Sequence, residues 1–298
     1  MTVLVVGGTG FVGGHVVHAL RTEDLPVRVL ARKPESQERL RAWGCEVVAG
    51  DMTDAASLSR AVAGAKTFVH LVALPPFAAS DAVSRVMEQG TRDLLRAAQE
   101  ADVERVVLMS GLGIDERSEN LVAYNRAKLV EEHEVERSGL EHTIFKPSFI
   151  FGPDGGMLPA LIRLVRWSPV TPVVGTRRFQ PIWVEDVAAY FAKAVAAEPA
   201  VAGTYELAGP DVVTFGELHE RLRRVLGKRR LAFQMPTGLV RTGAAAASAL
   251  RHFRSARGAV DMLEFDDNVA DIRPAVEAFG VEPITLDEQL RRATAARA

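Results

Sequence analysis

Short apolar runs alternate with longer stretches of mixed polarity through the first half of the chain. The apolar runs are residues 2–6 (TVLVV), 27–31 (VRVLA), 46–50 (EVVAG), 67–73 (TFVHLVA), 105–110 (RVVLMS) and 142–147 (HTIFKP). Each has the length of a strand and is rich in Val, Ile or Leu, the composition of strands buried on both faces. Between them, residues 11–21, 55–62, 82–100 and 121–138 carry helical patterns, with apolar positions recurring at three and four. Strands and helices in alternation predict an α/β fold, a doubly wound parallel sheet with helices on both faces.

The alternation breaks after residue 147. Residues 148–170 read as loop-rich, residues 179–199 (FQPIWVEDVAAYFAKAVAAEP) as a short strand and a helix that rejoins the first lobe, and from residue 210 helical patterns dominate. The expected division is residues 1–150 plus about 177–208 in one domain, and about 151–176 plus 209–298 in a smaller, mostly helical lobe. The alanine-rich residues 242–250 read as a closely packed helix.

Composition narrows the partners. With 298 residues, 48% of them hydrophobic and 25% charged, the chain can bury a core. A net charge of -2 provides no global field for a polyanion, so nucleic acid is not expected. Cys45 is the only cysteine, which leaves no internal disulfide and no multi-thiolate metal site and suits a reducing cytoplasm. The start reads as a buried strand and not as a secretion signal. The longest uncharged segments, such as residues 67–80, fall short of the roughly 20 residues a membrane span needs.

Gly7, Gly8, Gly10 and Gly13 follow the first strand and precede the first helix. Residues without a Cβ let backbone amides and the positive helix end approach a pyrophosphate. The spacing fits both G-x-G-x-x-G, from Gly8, and G-x-x-G-x-x-G, from Gly7. The second strand ends in Ala31, Arg32 and Lys33, where a site for NAD would place an acid. The two cations suit a 2′-phosphate and so NADP(H); alternatively they are solvated loop charges. Asp51 and Met52 close the third strand, as an acceptor for adenine and an apolar contact for its ring, although Asp51 is also placed to cap the next helix.

Tyr124 and Lys128 lie four apart in a helical stretch, on one face. An ammonium beside the phenol stabilises its anion and eases proton exchange. The chain has three tyrosines, so such a pair is rarely a coincidence. The plain alternative is a surface pair on a helix.

In chain order, Gly7-x-x-Gly10-x-x-Gly13, Gly50-Asp51, FVHLVA, GTRDLLRAAQEADVERVVLMS, Tyr124-x-x-x-Lys128 and PIWVEDVA resemble an extended short-chain dehydrogenase/reductase, from residue 2 to about residue 208. TFGEL, VDMLEFDDNVAD and FGVEPITLDEQL further resemble the atypical branch that includes the NADPH-binding accessory subunit of respiratory complex I. The resemblance implies a Rossmann fold with a C-terminal substrate lobe. It places Gly7, Thr9, Gly10, Phe11 and Val12 at the pyrophosphate and Leu71, Val72 and Ala73 along the nucleotide. Lys128 is implied to bond the nicotinamide ribose, with Pro147, Phe149 and Ile150 bordering the nicotinamide. Tyr124 is the implied proton donor to a carbonyl oxygen. Two positions depart from the family: Met87 stands where it has an asparagine, and its serine aligns with Gly111 or Leu112, leaving Ser110 slightly early; Ser110 is kept as the third catalytic candidate, one that reaches the substrate oxygen if the loop is tighter here.

Three functions are therefore open: an NADP(H)-dependent reductase or dehydrogenase of a small carbonyl or alcohol, an NADP(H)-holding sensor or assembly protein, and a sugar-nucleotide epimerase or dehydratase. The stretch from Ser110 to Tyr124 is short for the last. His15 and His18 share a helix face without a third ligand, and no metal is expected. Residues 221–230 (RLRRVLGKRR) form the densest basic tract, either a solvated helix end or a surface for an anionic partner. Homo-oligomerisation is left open. Trp167, Trp183, Phe149, Met157 and Leu158 are candidates for an apolar pocket or for core packing.

Overall fold

The computed structural model describes residues 2–76, 78–167, 177–228 and 266–295, together with the backbone of 170–173 and 231–234. The alanine-rich residues 242–250 and the basic residues 229–230 lie outside the described residues.

Seven strands form one sheet: β1 (Thr2–Val6), β2 (Val27–Ala31), β3 (Glu46–Ala49), β4 (Ala65–His70), β5 (Arg105–Met109), β6 (Glu141–Pro147) and β11 (Gly203–Leu207), the last numbered in chain order. Their spatial order is β11-β6-β5-β4-β1-β2-β3, and every pairing is parallel. β1 lies between β2 and β4, so the strand order reverses beside it. In open sheets of this kind a ligand lies in the crevice beyond the strands' carboxyl ends at that reversal.

The helices cover both faces. On one side α1 (Phe11–Thr22) packs against α8 (Val184–Ala196), around Val5, Val16, Val29 and Phe145. On the other, α3 (Ala55–Val62), α5 (Gly90–Glu100) and α6 (Ala123–Arg137) enclose Leu4, Leu58, Phe68, Leu94 and Val106. Full burial of each such side chain contributes about 1.5–3 kcal/mol. The expected helix over 82–100 is one run in three parts: α4 (Ser80–Val83), a π turn over Ser84–Gln89, and α5. A short α2 (Glu38–Ala42) also stands between β2 and β3.

A second cluster holds the remaining pieces together. Phe151, Leu158, Phe179, Trp183, Leu218, Leu222 and Leu290 meet in it, from β7 (Ile150–Phe151), α7 (Leu158–Trp167), β9 (Arg178–Phe179), β10 (Ile182–Trp183), α9 (Phe215–Val225) and the last helix, α11 (Leu286–Ala295). α9 opens with a reciprocal cap between Thr214 and Glu217. Between α9 and α11, α10 (Arg273–Phe279) ends at Gly280 in the left-handed conformation, and Phe279 packs on Phe145 beneath the sheet. Of the two tryptophans named above, Trp183 is buried at 1% and Trp167 is 78% exposed. No helix among the described residues is long and apolar enough to cross a membrane.

Candidate active site

β1 delivers the chain into Gly7, whose φ of 84° lies in the left-handed region. A Cβ there would meet the Leu71 carbonyl carbon at 2.7 Å, and one at Gly13 would stand 2.1 Å from the Gly7 carbonyl oxygen. The helix can begin this close to the strand only because those atoms are missing. Gly10 is the N-cap of α1, no side chain caps the helix, and no acid occupies its first turn. The amides at Phe11 and Val12 are thus left for an anion, with Thr9 and Gly10 exposed in front of them. This cradle fits a pyrophosphate. The Phe11 ring is turned to residues 152–156, where a Cβ at Gly155 would fall 2.2 Å from it, so what Phe11 offers a nucleotide is its amide.

Around the turn, Leu71 donates its amide to the Val6 carbonyl at 2.9 Å, which carries Leu71, Val72 and the exposed Ala73 past the glycines. Arg32 and Lys33 are exposed at the end of β2, and neither makes an ion pair among the described residues. Asp51 accepts from the Thr53 amide at 2.8 Å and the Thr53 hydroxyl at 2.7 Å. The Thr53 hydrogen bonds, and less strongly the Arg32 guanidinium, hold its carboxyl below the usual range. The cap of α3 is Asp54 and not Asp51. Met52 is 6% exposed and packs under Gly90.

The tyrosine and lysine do share a face of α6, and what surrounds them is more than a pair. Lys128 is fully buried, and its three protons have three acceptors: Glu131 at 2.8 Å, the Met109 carbonyl at 2.8 Å and the Val72 carbonyl at 3.4 Å. Val72 and Met109 lie at the carboxyl ends of β4 and β5, so the ammonium is fixed at the upper edge of the sheet beside β1. Glu131 is also 0% exposed, and its Oε1 has no hydrogen-bond partner. Burial raises the Glu131 pKa to about 7 despite the Lys128 charge. At Lys128 burial works the other way, but Glu131 and Tyr124 outweigh it and leave the ammonium more firmly protonated. Tyr124 is half-buried and packs against the buried cluster of Val83, Met87 and Ala127. Burial pushes its phenol up, Lys128 pulls it down, Glu131 pushes it up again, and the net direction is up.

Beneath this pair sits His70, fully buried, its Nε2 2.8 Å from the Thr91 hydroxyl. Its Nδ1 accepts from the Val72 amide at 3.3 Å, which assigns the proton to Nε2. Burial, and then the Lys128 charge, lower its pKa to about 3, so the imidazole is neutral.

Ser110 is buried and donates its hydroxyl to Glu132 in a short hydrogen bond. Glu132 also takes Lys146 at 3.0 Å, and Lys146 reaches the Ile114 carbonyl at 2.8 Å. Pro147 is buried while Phe149 and Ile150 are half-buried where β6 leaves the sheet. Next to them a cavity of about 110 Å³ is lined by Leu112, Ile114, Asn125, Phe149, Phe179 and Phe215, among others. Asn125 donates to the Ser118 carbonyl at 3.1 Å, and its own buried oxygen has no partner. Asn268 ties the cavity to the second cluster by accepting from Ser148 at 2.5 Å and donating to the Leu112 carbonyl at 3.0 Å.

Glu131, Glu132, His70 and Asn125 were missed by sequence reasoning. The signal available was two acids spaced three and four after Lys128 on a face otherwise apolar. Elsewhere, His15 lies 3.2 Å from Asp154 and His18 stacks on Trp43. In the basic tract Arg221 pairs with Asp211 at 2.8 Å and Arg224 with Glu220 at 3.6 Å.

A protein-family model described as NAD(P)H-binding matches residues 7–198. The ceramide reductase of Caulobacter vibrioides is 33% identical over 247 residues, covering 81% of this chain and 76% of that protein. Subunit 9 of the NADH dehydrogenase 1 alpha subcomplex of Arabidopsis thaliana is 31% identical over 72% of this chain and 56% of that one. Among solved structures, the triphenylmethane reductase of Citrobacter complexed with NADP(H) superposes with a TM-score of 0.81 at 19% identity, covering 98% and 100% of the two chains. That last likeness is one of fold.

Proposed function

We infer, from the premise that this chain belongs to the NAD(P)H-binding family, that it is an NADP(H)-dependent reductase of the short-chain dehydrogenase/reductase type acting on a small carbonyl or alcohol. One observation carries the reading. Lys128 is bonded to the carbonyls of both Val72 and Met109, which sets the Tyr124–Lys128 face at the carboxyl edge of β4 and β5, one strand away from the uncapped glycine turn. Gly7, Thr9, Gly10, Phe11 and Val12 would hold the pyrophosphate, Arg32 and Lys33 the 2′-phosphate, and Asp51 the adenine edge. When bound, NADP(H) supplies the hydride. Tyr124 holds a proton at its hydroxyl for a carbonyl oxygen, and Lys128 fixes the local charge. Phe149, Phe179 and Phe215 keep water from the apolar side of the cavity.

The ceramide reductase supports this reading by name. The test is a panel of carbonyls with NADPH, read against Tyr124→Phe. Loss of the acid is expected to lower kcat by 10²- to 10⁴-fold, at the magnitude typical of positioned proton transfer, with NADPH affinity unchanged. Equal turnover by the variant would refute the assignment.

A second reading is favoured by Ser110, whose hydroxyl is given to Glu132 while Met87 stands where the family has an asparagine. Here the protein holds NADP(H) with little turnover, as a sensor or assembly partner. The respiratory-chain subunit of Arabidopsis and the photosystem II assembly factor Ycf39 of Synechocystis, the latter 26% identical over 95% of this chain, support it. Tight NADPH binding with no reduced carbonyl would favour it.

A further inference from the structure

Lys128 and Glu131 are one turn apart on α6, both at 0% exposure, and joined at 2.8 Å. A buried cation that faced Tyr124 alone would favour the phenolate. Here the ammonium points its protons elsewhere, to Glu131, Met109 and Val72. The Tyr124 hydroxyl makes no hydrogen bond among the described residues. Within the apolar surroundings of Val83, Met87 and Ala127, a neutral pair and a lone ammonium act on the phenol very differently.

We propose that Glu131 is a positioning residue that cancels the Lys128 charge at Tyr124 and so keeps Tyr124 a phenol, biasing the site toward giving a proton to a carbonyl oxygen and against taking one from an alcohol. The proposal rests on the reading of Tyr124 as the acid. The charged and titratable groups around the pair are few. Tyr124 and Glu132 belong to α6 itself, and Glu132 is occupied by Ser110 and Lys146. From β4 comes His70, which is neutral and is separated from Glu131 by the Thr91 hydroxyl of α5. No further charge therefore stands in for Glu131. The upward direction of the Tyr124 pKa comes first from burial; Lys128 pulls against it, and Glu131 adds to it.

The test titrates the phenol by the ultraviolet absorbance of its phenolate in the full chain, subtracting the Tyr124→Phe counterpart of each protein. The other two tyrosines, Tyr190 and Tyr205, cancel in that difference. In the wild type Tyr124 is expected to titrate above the free value of about 10. In Glu131→Gln, which keeps the shape and removes the charge, the midpoint is expected to fall by at least about one unit. An unchanged midpoint would overturn the proposal.

Glu131→Gln leaves an unpaired buried ammonium and can fail to fold. The double variant Lys128→Met with Glu131→Gln removes both charges and decides the matter in that case. If the pair is neutral as seen from Tyr124, its midpoint matches the wild type. If it rises by about one unit or more, Lys128 was acting uncancelled and the proposal falls. With benzaldehyde as the probe and NADPH, Glu131→Gln is also expected to move the alkaline limb of reduction down by the same shift. Absence of any reduction across the carbonyl panel, in wild type and variants alike, would refute the reductase reading, while the absorbance titration would still judge the role of Glu131.

Discussion

At Gly7, Gly8, Gly10 and Gly13 the molecule omits side chains, whereas between Lys128 and Lys146 it buries three charged ones and half-buries a fourth. At the first turn, the proposed nucleotide cradle consists of backbone amides, missing Cβ atoms and an uncapped helix end. On α6, two consecutive glutamates each take a lysine, Glu131 with Lys128 and Glu132 with Lys146, at 2.8 and 3.0 Å. The first region fails through crowding and the second through uncompensated charge. A single substitution at either end is therefore expected to leave a different signature.

The largest effect is expected at Gly13→Ala. In most helices alanine is the better residue, by roughly 0.5–1 kcal/mol, but here its Cβ would sit 2.1 Å from a backbone oxygen. The strand and helix must separate, and NADPH affinity measured by fluorescence titration is expected to fall about 1000-fold, or about 4 kcal/mol. Gly64→Ala is the control, since nothing lies within 4 Å of a Cβ there and only its φ of 70° is strained. That cost is about 1–2 kcal/mol of stability with nucleotide binding intact. Equal effects at the two glycines would remove the case for a close strand-to-helix approach.

Next comes Glu132→Gln. It removes the charge opposite Lys146, whose side chain is 15% exposed, and leaves one amide oxygen to serve either Lys146 or Ser110 but not both. Breaking a buried pair in this way costs about 3–5 kcal/mol, which lowers the denaturant midpoint. NADPH affinity per folded molecule should hold, because Glu132 touches nothing near the glycines. A loss of affinity larger than the loss of stability would show that the two ends are coupled.

This contrast also explains what was readable beforehand. Apolar runs marked six strands; burial on both faces, which leaves mostly apolar residues, accounts for all of them but β3, an edge strand whose residues are exposed or half-buried. The glycine turn was readable because few other residue types tolerate it. Tyr124 and Lys128 were readable from spacing alone. The buried acids were not, since on a helix Glu131 and Glu132 look like surface charges until the fold sets β5 and β6 against them. His70 was hidden for the same reason, a polar residue inside an apolar strand whose partner Thr91 is 21 positions away. Ser110 was located, but its direction toward Glu132 depends on Lys146 from another strand.

The third effect is a pH dependence. His70 has its pKa lowered from 6.5 to about 3 in the folded state, so the unfolded chain binds the extra proton between those values. Its contribution to stability is complete above about pH 6.5 and is lost as pH falls toward 3, at about 1.4 kcal/mol per unit. His70→Gln lacks that contribution. Its deficit relative to wild type is expected to shrink as pH is lowered from 7 to about 5, measured by chemical denaturation at each pH. A deficit that stays constant would mean that His70 is not held neutral.

The smallest effect returns to the phosphate end, and it tests whether charge matters there at all. Arg32 follows the buried Ala31 at the end of β2, is exposed, and makes no ion pair among the described residues. An NAD site would set an acid at this strand end to hold the ribose hydroxyls. A guanidinium instead suits a phosphate, at the modest strength of an exposed charge. Arg32→Ala should thus weaken NADPH by about tenfold while leaving NADH unchanged. The difference between the two nucleotides should narrow as salt is raised, because exposed charges are screened within about 10 Å at 0.1 M. Arg32 also bears on Asp51, lowering its pKa slightly after the Thr53 hydrogen bonds. If that were its main role, both nucleotides would weaken together, through the adenine they share. Equal loss for NADPH and NADH would therefore move Arg32 from its proposed place at the 2′-phosphate to the support of Asp51, and the proposed preference for NADP(H) would rest on Lys33 alone.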